Sequence, residues 1–525
     1  MIISALIDEL RRNGIDMASV AGTDGAEINS LCADSRKVTP GSVFFAVRGG
    51  TTDGHNYLRQ AVTAGACAVV VEESPRIDLA RINPAICVIQ VADVRIAMAY
   101  AARFFYADPP LETHHKSHQN MYIAGVTGTN GKTTLTYMLE ALMRARGLTP
   151  AVMGTISNRM NGQVFAASHT TPDALSLYQM LKAFKACGAD ALALEVSSHA
   201  LEQKRVVGLD FDLGIFTNLT PEHLDYHPDM EAYYRAKARL FSAAGGYGCR
   251  KAVINIADPY GERLATEVPA ALLVDPRPGS ASAADIRVVS AEFSLAGVRA
   301  IIHTPAATVE LHSSLIGPFN LENLCCAMGA GLAMGLSAAE VTACLAQMPP
   351  VPGRLERVEN TLDALILVDY AHTPDALEKA LEAVVALQPK RLLSVVGCGG
   401  DRDKSKRPLM AAAAVRASTL ALITSDNPRT EDPAEIIRQM VVGATKTGAT
   451  HLSPDEARAG RGGYCVMQER AEALKFAVSV LQRGDVLLVA GKGHEDYQII
   501  GTTKHHFDDR EHLRAALKER EAAVV

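Results

Sequence analysis

The sequence predicts an α/β protein of three domains: a small N-terminal α/β domain, a central domain whose parallel sheet carries a phosphate-binding loop, and a C-terminal doubly wound domain. Three observations carry that expectation. The stretch 126–134, V-T-G-T-N-G-K-T-T, lies between an apolar run and a helical pattern. Apolar runs of strand length alternate with helical periods along most of the chain. Many of those runs end in polar clusters, at the edge where an open parallel sheet collects ligands.

Composition narrows the function classes. The chain has 525 residues, no Trp and a formal net charge of −6, which argues against a general nucleic-acid binder. No apolar run reaches the roughly 18–20 residues needed to span a membrane. Residues 1–13 read as a short amphipathic helix carrying Asp8, Glu9, Arg11 and Arg12, without the basic and apolar regions of a signal peptide. The ten Cys have no C-x-x-C spacing, and Cys325-Cys326 sit in an apolar helical stretch. They read as reduced core thiols of a cytosolic protein rather than zinc ligands.

In the N-terminal domain, 42–47, 68–71 and 86–91 read as strands, and 57–64 and 96–105 as helices. The loops 34–36 (D-S-R) and 49–55 (G-G-T-T-D-G-H) read, taken alone, as turns. The stretch 108–120 opens with two prolines, lacks apolar periodicity and reads as a linker; its three His are weighed as part of a solvated segment rather than a metal site.

The central domain opens with an apolar strand at 121–125, the glycine loop, and a helix whose apolar face comprises Leu135, Met138, Leu139, Leu142 and Met143. Glycines let the loop amides point inward, and the helix N-terminus adds partial positive charge. Lys132 can reach β- and γ-phosphates, and the Thr133 hydroxyl can ligate Mg²⁺. Val126 occupies the place of the first Gly in the strict G-x-x-x-x-G-K-[ST] pattern, with Gly125 and Gly128 on either side. Polar clusters follow at 168–173 (S-H-T-T-P-D), 195–199 (E-V-S-S-H) and 217–227 (T-N-L-T-P-E-H-L-D-Y-H); strands 191–194 and 213–216 precede the last two. A helix at 230–241 carries Lys237, which alone reads as a solvated surface lysine. Asn320 is a candidate cap for an Ala-rich helix at 324–334, with Asn323 in its first turn.

The C-terminal domain begins at the proline-rich hinge 349–354. Strands 364–368, 391–396, 420–424 and 485–490 lead into polar loops at 369–375, 397–403, 425–429 and 491–496. The stretch 446–463 is polar and turn-rich, with no role assigned. The expected boundaries are 1–106, 107–348 and 349–525.

Taken together, T-G-T-N-G-K-T-T, E-V-S-S-H, N-L-T-x-E-H-L-D-Y-H, Y-x-x-A-K-x-x-L-F, D-Y-A-H-T-P-D and G-K-G-H-E-D-Y-Q resemble, in order, the motifs of the Mur ligases. These are ATP-dependent peptide ligases of peptidoglycan precursor synthesis. The D-N-P-R at 426–429 is similar to the meso-2,6-diaminopimelate-adding (MurE) branch, whose substrate is UDP-N-acetylmuramoyl-L-alanyl-D-glutamate. The resemblance implies a P-loop ATPase-like central domain, a Rossmann-like C-terminal domain, and amide formation through an acyl phosphate.

It also implies roles. Gly128, Thr129, Asn130, Gly131, Lys132, Thr133 and Thr134 would bind ATP with Asn323, the adenine contact, and Arg354. Arg354 and Asp369 would be catalytic hinge-side groups that engage when domains close, beside Lys132 and Lys237. Two Mg²⁺ sites would draw on Thr133, Glu195, His223 and Lys237, the last as a carbamate. Ala33, Ser35, Gly50, Thr51, Thr52, His169, Thr170, Thr171, Ser197, Gln203 and Arg205 would contact the nucleotide-sugar dipeptide. Ala33 and His169 depart from the family's commoner residues there. Arg402, Asp426, Asn427, Pro428, Arg429, Gly491 and Glu495 would hold diaminopimelate; Arg429 suits bidentate capture of its far carboxylate, and Glu495 accepts from the far ammonium. The implied protein is a cytoplasmic monomer with no nucleic-acid partner. The rivals are a lysine-adding or other Mur ligase or a folylpolyglutamate-type ligase, and, in a different class, a P-loop switch protein.

Overall fold

The computed structural model describes residues 1–50, 52–106, 121–165, 169–243, 246–294 and 296–522, to which every count below refers. The expected linker at 108–120, and Thr51, lie outside them. The chain forms two compact units, Met1–Ile254 with Asp258–Leu272, and Asn255–Ala257 with Leu273–Val525.

The first unit holds two sheets. The N-terminal one orders its strands Met17–Ala21, Cys87–Val91, Ala66–Val71, Ser42–Phe45 and Ser30–Cys32. Its first pair is antiparallel and the rest are parallel. Helix Ile3–Arg12 buries Ile3, Leu6, Ile7 and Leu10, the i, i+3, i+4, i+7 set of one helical face. Helix Val94–Phe105 packs into the same core and is capped by Asp93, whose carboxylate accepts from the amides of Arg95 and Ile96.

The second sheet runs Cys249–Asn255, Phe211–Phe216, Tyr122–Thr127, Ala191–Glu195, Pro150–Met153, Asn158–Met160 and Gln163–Phe165. The first five strands are parallel. Tyr122–Thr127 lies in the middle, apolar on both faces as a doubly covered parallel strand must be. The last two strands form a hairpin on Asn161-Gly162, both at positive φ, the geometry that an Asn-Gly turn favours.

In the second unit, strand Leu272–Asp275 runs parallel to Ile286–Ser294, which forms an antiparallel meander with Gly297–His303 and Thr308–Ser313. This meander has no counterpart in the sequence reading. Helix Pro318–Ala333 starts six residues before the expected 324, with Pro at its first position and Gly317 before it. Asn320 therefore does not cap it. The residue lies inside the helix, and its amide donates to the Ile316 carbonyl at 2.8 Å.

The C-terminal sheet orders Glu356–Arg357, Leu365–Asp369, Val486–Ala490, Leu392–Cys398, Leu420–Ser425 and Gly463–Val466, all parallel but the first pair. Apolar cores cover both faces. The four expected loops thus follow four adjacent strands. The unassigned stretch 446–463 is the end of helix Pro433–Lys446 and a short helix, Pro454–Arg458, with a Ser453–Glu456 capping box that leads to the edge strand. Arg470 and Asp509, both fully inaccessible, pair through two bonds of 2.7 Å, and Arg470 Nη2 donates to the Ala490 carbonyl at 3.0 Å.

Candidate functional site

In the first unit the glycine loop joins the central strand to helix Lys132–Ala145, with Gly131 at φ +89° before its first residue. Gly128 has φ +145°, and a Cβ there would stand 1.8 Å from the Thr217 hydroxyl. Only glycine fits. The loop is held from the neighbouring strand end: the Asn218 carbonyl accepts from the Thr129 amide at 2.8 Å, its side-chain oxygen accepts from the Asn130 amide at 2.9 Å, and the Thr217 hydroxyl donates to the Asn130 carbonyl at 2.6 Å. Lys132 Nζ folds onto the carbonyls of Gly128 and Thr129, at 2.8 and 2.7 Å.

Lys237 also reaches this loop. Its Nζ is 2.8 Å from the Gly128 carbonyl and 4.7 Å from the Tyr233 ring centroid. It is fully buried, so the solvated surface lysine read from the helix alone is wrong. The helix turns Lys237 inward with Tyr233 and Tyr234. Burial, then the nearby Lys132, lower its pKa well below the usual lysine value, which favours the uncharged amine.

Glu195 ends its strand buried. Its carboxylate accepts from the Thr155 amide at 3.0 Å and hydroxyl at 2.9 Å, and Gly154 leaves the space it fills, since a Cβ there would lie 2.3 Å from Oε1. Thr170 stands 3.1 Å from the Thr155 hydroxyl. The Thr171 hydroxyl donates to the Glu195 carbonyl at 2.7 Å and accepts from the Ser197 amide at 3.1 Å. Arg205 Nη1 donates to the Thr171 carbonyl at 2.7 Å, and Nη2 to Gln203 Oε1 at 2.7 Å. Six expected substrate and metal residues thus form one connected group. His169 is exposed.

His223, an expected ligand, sits at φ +56° in a cluster with His199, Tyr226 and His227, rings to which the sequence reading gave no role. The His199 ring lies 4.7 Å from His223, 4.1 Å from Tyr226 and 5.8 Å from His227. Burial, then the neighbouring His223 and His227, push His199 down to about 4, and burial lowers His223 and His227 as well. At neutral pH these imidazoles are uncharged. Among the described residues no three His, Cys, Asp or Glu side chains stand close enough to hold a metal ion. The buried Glu195 carboxylate and the Thr133 hydroxyl are oxygen donors of the kind magnesium takes, alongside phosphate oxygens and water.

In the N-terminal sheet, Ser35 is buried and donates to Gln60 at 3.0 Å. Asp34, beside it, is held to about 2 by the Arg36 guanidinium. Ala33, Gly50 and Thr52 are exposed.

In the second unit, Asp369 is buried at its strand end and accepts from the amides of Leu355 at 2.7 Å and Ala371 at 2.8 Å. Burial still raises its pKa, against the lowering effect of Arg354. Arg354 stacks 5.1 Å over the Tyr370 ring. Asn323 is buried, its amide 3.2 Å from Asn320.

The 425–429 and 491–496 loops interlock. Asn427 Nδ2 donates to Glu495 Oε2 at 2.9 Å. Asn427 Oδ1 accepts from Lys492 Nζ at 3.1 Å and the Ile499 amide at 2.9 Å. Gly491, at φ +117°, leaves room for Asp426, whose Oδ2 would be 2.6 Å from a Cβ there. Arg429 adopts φ +51° and donates to the Gly400 carbonyl at 2.9 Å; Pro428 packs so close to Gly400 that a Cβ there would lie 1.9 Å from its carbonyl. Arg402 is exposed and bonded to the Asp401 carbonyl at 3.0 Å. Lys492, fully buried at the centre, was quoted in G-K-G-H but given no role; a lysine between two glycines at a buried strand end was the available signal.

Family models match in three successive stretches: "Mur ligase family, catalytic domain" at 27–106, "Mur ligase middle domain" at 126–331, and "Mur ligase, glutamate ligase domain" at 353–493. The chain is 45% identical to the UDP-N-acetylmuramoyl-L-alanyl-D-glutamate--2,6-diaminopimelate ligase of Geobacter metallireducens, over 96% of this chain and 97% of that one. The chain belongs to the Mur ligase family.

The Geobacillus thermodenitrificans protein of the same name is 42% identical over 94% of this Mur ligase and 96% of its own length. A solved structure of a ligase of that name superposes with TM-score 0.66 at 33% identity, covering 94% and 95% of the two chains. The Thermotoga maritima MurF ligase in complex with ADP shares the fold, with TM-score 0.57 at 18% identity over 95% and 99%. This Mur ligase is thus an ATP-dependent ligase with the family's three-domain fold: a small α/β domain, a central P-loop ATPase-like domain and a Rossmann-like C-terminal domain. No described helix is long and apolar enough to cross a membrane.

Proposed function

We propose that this Mur ligase joins meso-2,6-diaminopimelate to UDP-N-acetylmuramoyl-L-alanyl-D-glutamate in the cytoplasm, as a monomer, releasing ADP and phosphate. The observation that carries the reading is the interlocked Asn427–Glu495 pair beside Arg429, one anionic and one cationic group beyond the ends of the two strands that flank Leu392–Cys398. Diaminopimelate differs from lysine by a far carboxylate. Arg429 takes that carboxylate, with Arg402 beside it, and Glu495 takes the far ammonium, with Asp426, Asn427, Pro428 and Gly491 shaping the pocket. A lysine would leave Arg429 unmatched.

The N-terminal residues 1–106, with Ala33, Ser35, Gly50, Thr51 and Thr52, bind the uridine nucleotide. Residues 107–348 bind ATP. There His169, Thr170, Thr171, Ser197, Gln203 and Arg205 hold the muramoyl dipeptide, and Arg205 pairs with a carboxylate of it. Residues 349–525 bind the amino acid. ATP lies on Gly128–Thr134, with Asn323 on adenine and Arg354 and Asp369 as further ATP-side groups. Lys132 leaves its loop carbonyls for the phosphates and offsets charge on the transferring phosphoryl group. The γ-carboxylate oxygen of D-Glu attacks the γ-phosphorus and ADP leaves. The diaminopimelate amine then attacks the acyl carbon, loses a proton, and phosphate departs.

Thr133, Glu195, His223 and a carbamate on Lys237 would hold magnesium, which supplies charge neutralisation for the phosphates. Lys237 is suited to that carbamate because a neutral amine adds CO₂: the N–C bond forms and one proton leaves. The test is mass spectrometry of the product with each amino acid. Diaminopimelate product alone is expected; equal product with lysine would overturn the reading.

A further inference from the structure

Lys492 has no role in the reading above, yet it lies at the centre of the amino-acid pocket. Its Nζ is 3.6 Å from Asp426 Oδ1 and 3.8 Å from Glu495 Oε2, donates to Asn427 Oδ1 at 3.1 Å and to the Tyr497 carbonyl at 2.7 Å, and is wholly inaccessible. Two buried carboxylates thus face the same lysine. The other nearby buried cation, Arg470, is engaged by Asp509.

We propose that Lys492 is a positioning and specificity-determining residue for the incoming amino acid: it holds the Asn427 amide in register and keeps Glu495 ionised beside Asp426, so that the pocket selects a distal ammonium.

This rests on the diaminopimelate reading and deepens it. Two donors on Asn427 Oδ1, Lys492 Nζ and the Ile499 amide, fix which way the amide points, so Nδ2 must face Glu495. Without the ammonium, Asp426 and Glu495 are two like charges sharing one buried volume, and one of them takes up a proton. Even with Lys492 present, burial and then Asp426 raise Glu495, while Lys492, Asn427 and Arg429 oppose them. The other groups facing the cluster are Tyr370, Tyr497, Arg470 and, toward Asp426, His372. A protonated Glu495 cannot attract the ammonium of a substrate.

The experiment uses the full-length protein, Lys492→Met, and steady-state phosphate release with ATP, the nucleotide dipeptide and meso-diaminopimelate. At pH 7 the KM for diaminopimelate rises about tenfold or more, roughly the 1.4 kcal/mol of a lost charge contact. The KM values for ATP and the nucleotide dipeptide stay within about twofold and kcat changes less than the amino-acid KM. Between pH 7 and 9 the variant's diaminopimelate KM falls back toward the native value as the pocket carboxylate ionises. An unchanged diaminopimelate KM, or all three KM values rising together without pH recovery, overturns the proposal. If Lys492→Met does not fold, Lys492→Gln takes its place with the same expectations; failure of both to fold would make Lys492 a structural lysine and also overturn it. A native protein that makes no product from diaminopimelate sinks the underlying reading instead.

Discussion

The Nζ atoms of Lys132 and Lys237 share one acceptor, the carbonyl oxygen of Gly128, at 2.8 Å each. Burial, and then Lys132 itself, lower the pKa of Lys237 well below the usual lysine value, which eases the meeting of two amino groups at one oxygen. The carbonyl belongs to a residue that must be glycine, so loop shape and the chemistry of both lysines depend on a single position.

Lys237→Ala is therefore expected to lower phosphate release by about 100-fold or more, the scale of losing one preorganised charge-stabilising group. A small carboxylate such as formate or acetate, entering the vacated space, should restore part of the rate. Full activity without added carboxylate would refute the carbamate.

Arg429→Ala should raise the KM for diaminopimelate about tenfold to 100-fold and leave that for ATP unchanged. The ratio of diaminopimelate to lysine turnover, measured by competition and mass spectrometry, should fall toward one. Retained discrimination would place specificity elsewhere in the pocket.

His494 carries an acid-sensitivity prediction. Its ring packs 4.8 Å from Tyr370, and burial, then Arg354, Arg510 and His372, lower it from 6.5 to about 3. Its folded pKa lies below the unfolded one, so as pH falls below 6.5 the unfolded chain binds the proton first. The folded state loses up to about 1.4 kcal/mol per pH unit until the folded pKa is reached. His494→Phe should flatten the decline in melting temperature between pH 6.5 and 4.5. An unaltered slope would show that the group is not titrating this way.

Removing one partner of the Arg470–Asp509 pair leaves a buried charge. Asp509→Asn should cost about 3–5 kcal/mol in urea unfolding, whereas Arg470→Met with Asp509→Leu should cost much less. The pair ties the first residue of the last helix to the end of strand Val486–Ala490, just before Gly491.

Much of the fold was legible because buried parallel strands are apolar on both faces: 121–125, 191–194, 213–216 and the four C-terminal runs all lie within or beside observed strands. The meander at 286–313 was not, since strand Ile286–Ser294 and its neighbours are half exposed and interrupted by charge. Strand Pro150–Met153 was missed because it opens on a proline, which reads as a break rather than as the start of a strand. At the site, residue types at strand ends were visible, but burial was not. Lys237 and Lys492 are the same residue type as any solvated lysine, and only packing reveals that neither reaches water. Asn320 failed as a cap because Gly317-Pro318 starts the helix earlier.

Asn427 is followed by Pro428, and that order governs how the pocket withstands time. Spontaneous deamidation runs through a ring closed by the next residue's backbone nitrogen, and proline has no hydrogen there to give up. Asn427 is thus shielded from turning into an aspartate that would repel Glu495. Asn130, followed by the unhindered Gly131 in the phosphate loop, has no such shield. Deamidation of stored protein is therefore expected at Asn130 and at the exposed Asn161-Gly162 turn before Asn427, an order that peptide mass mapping would read.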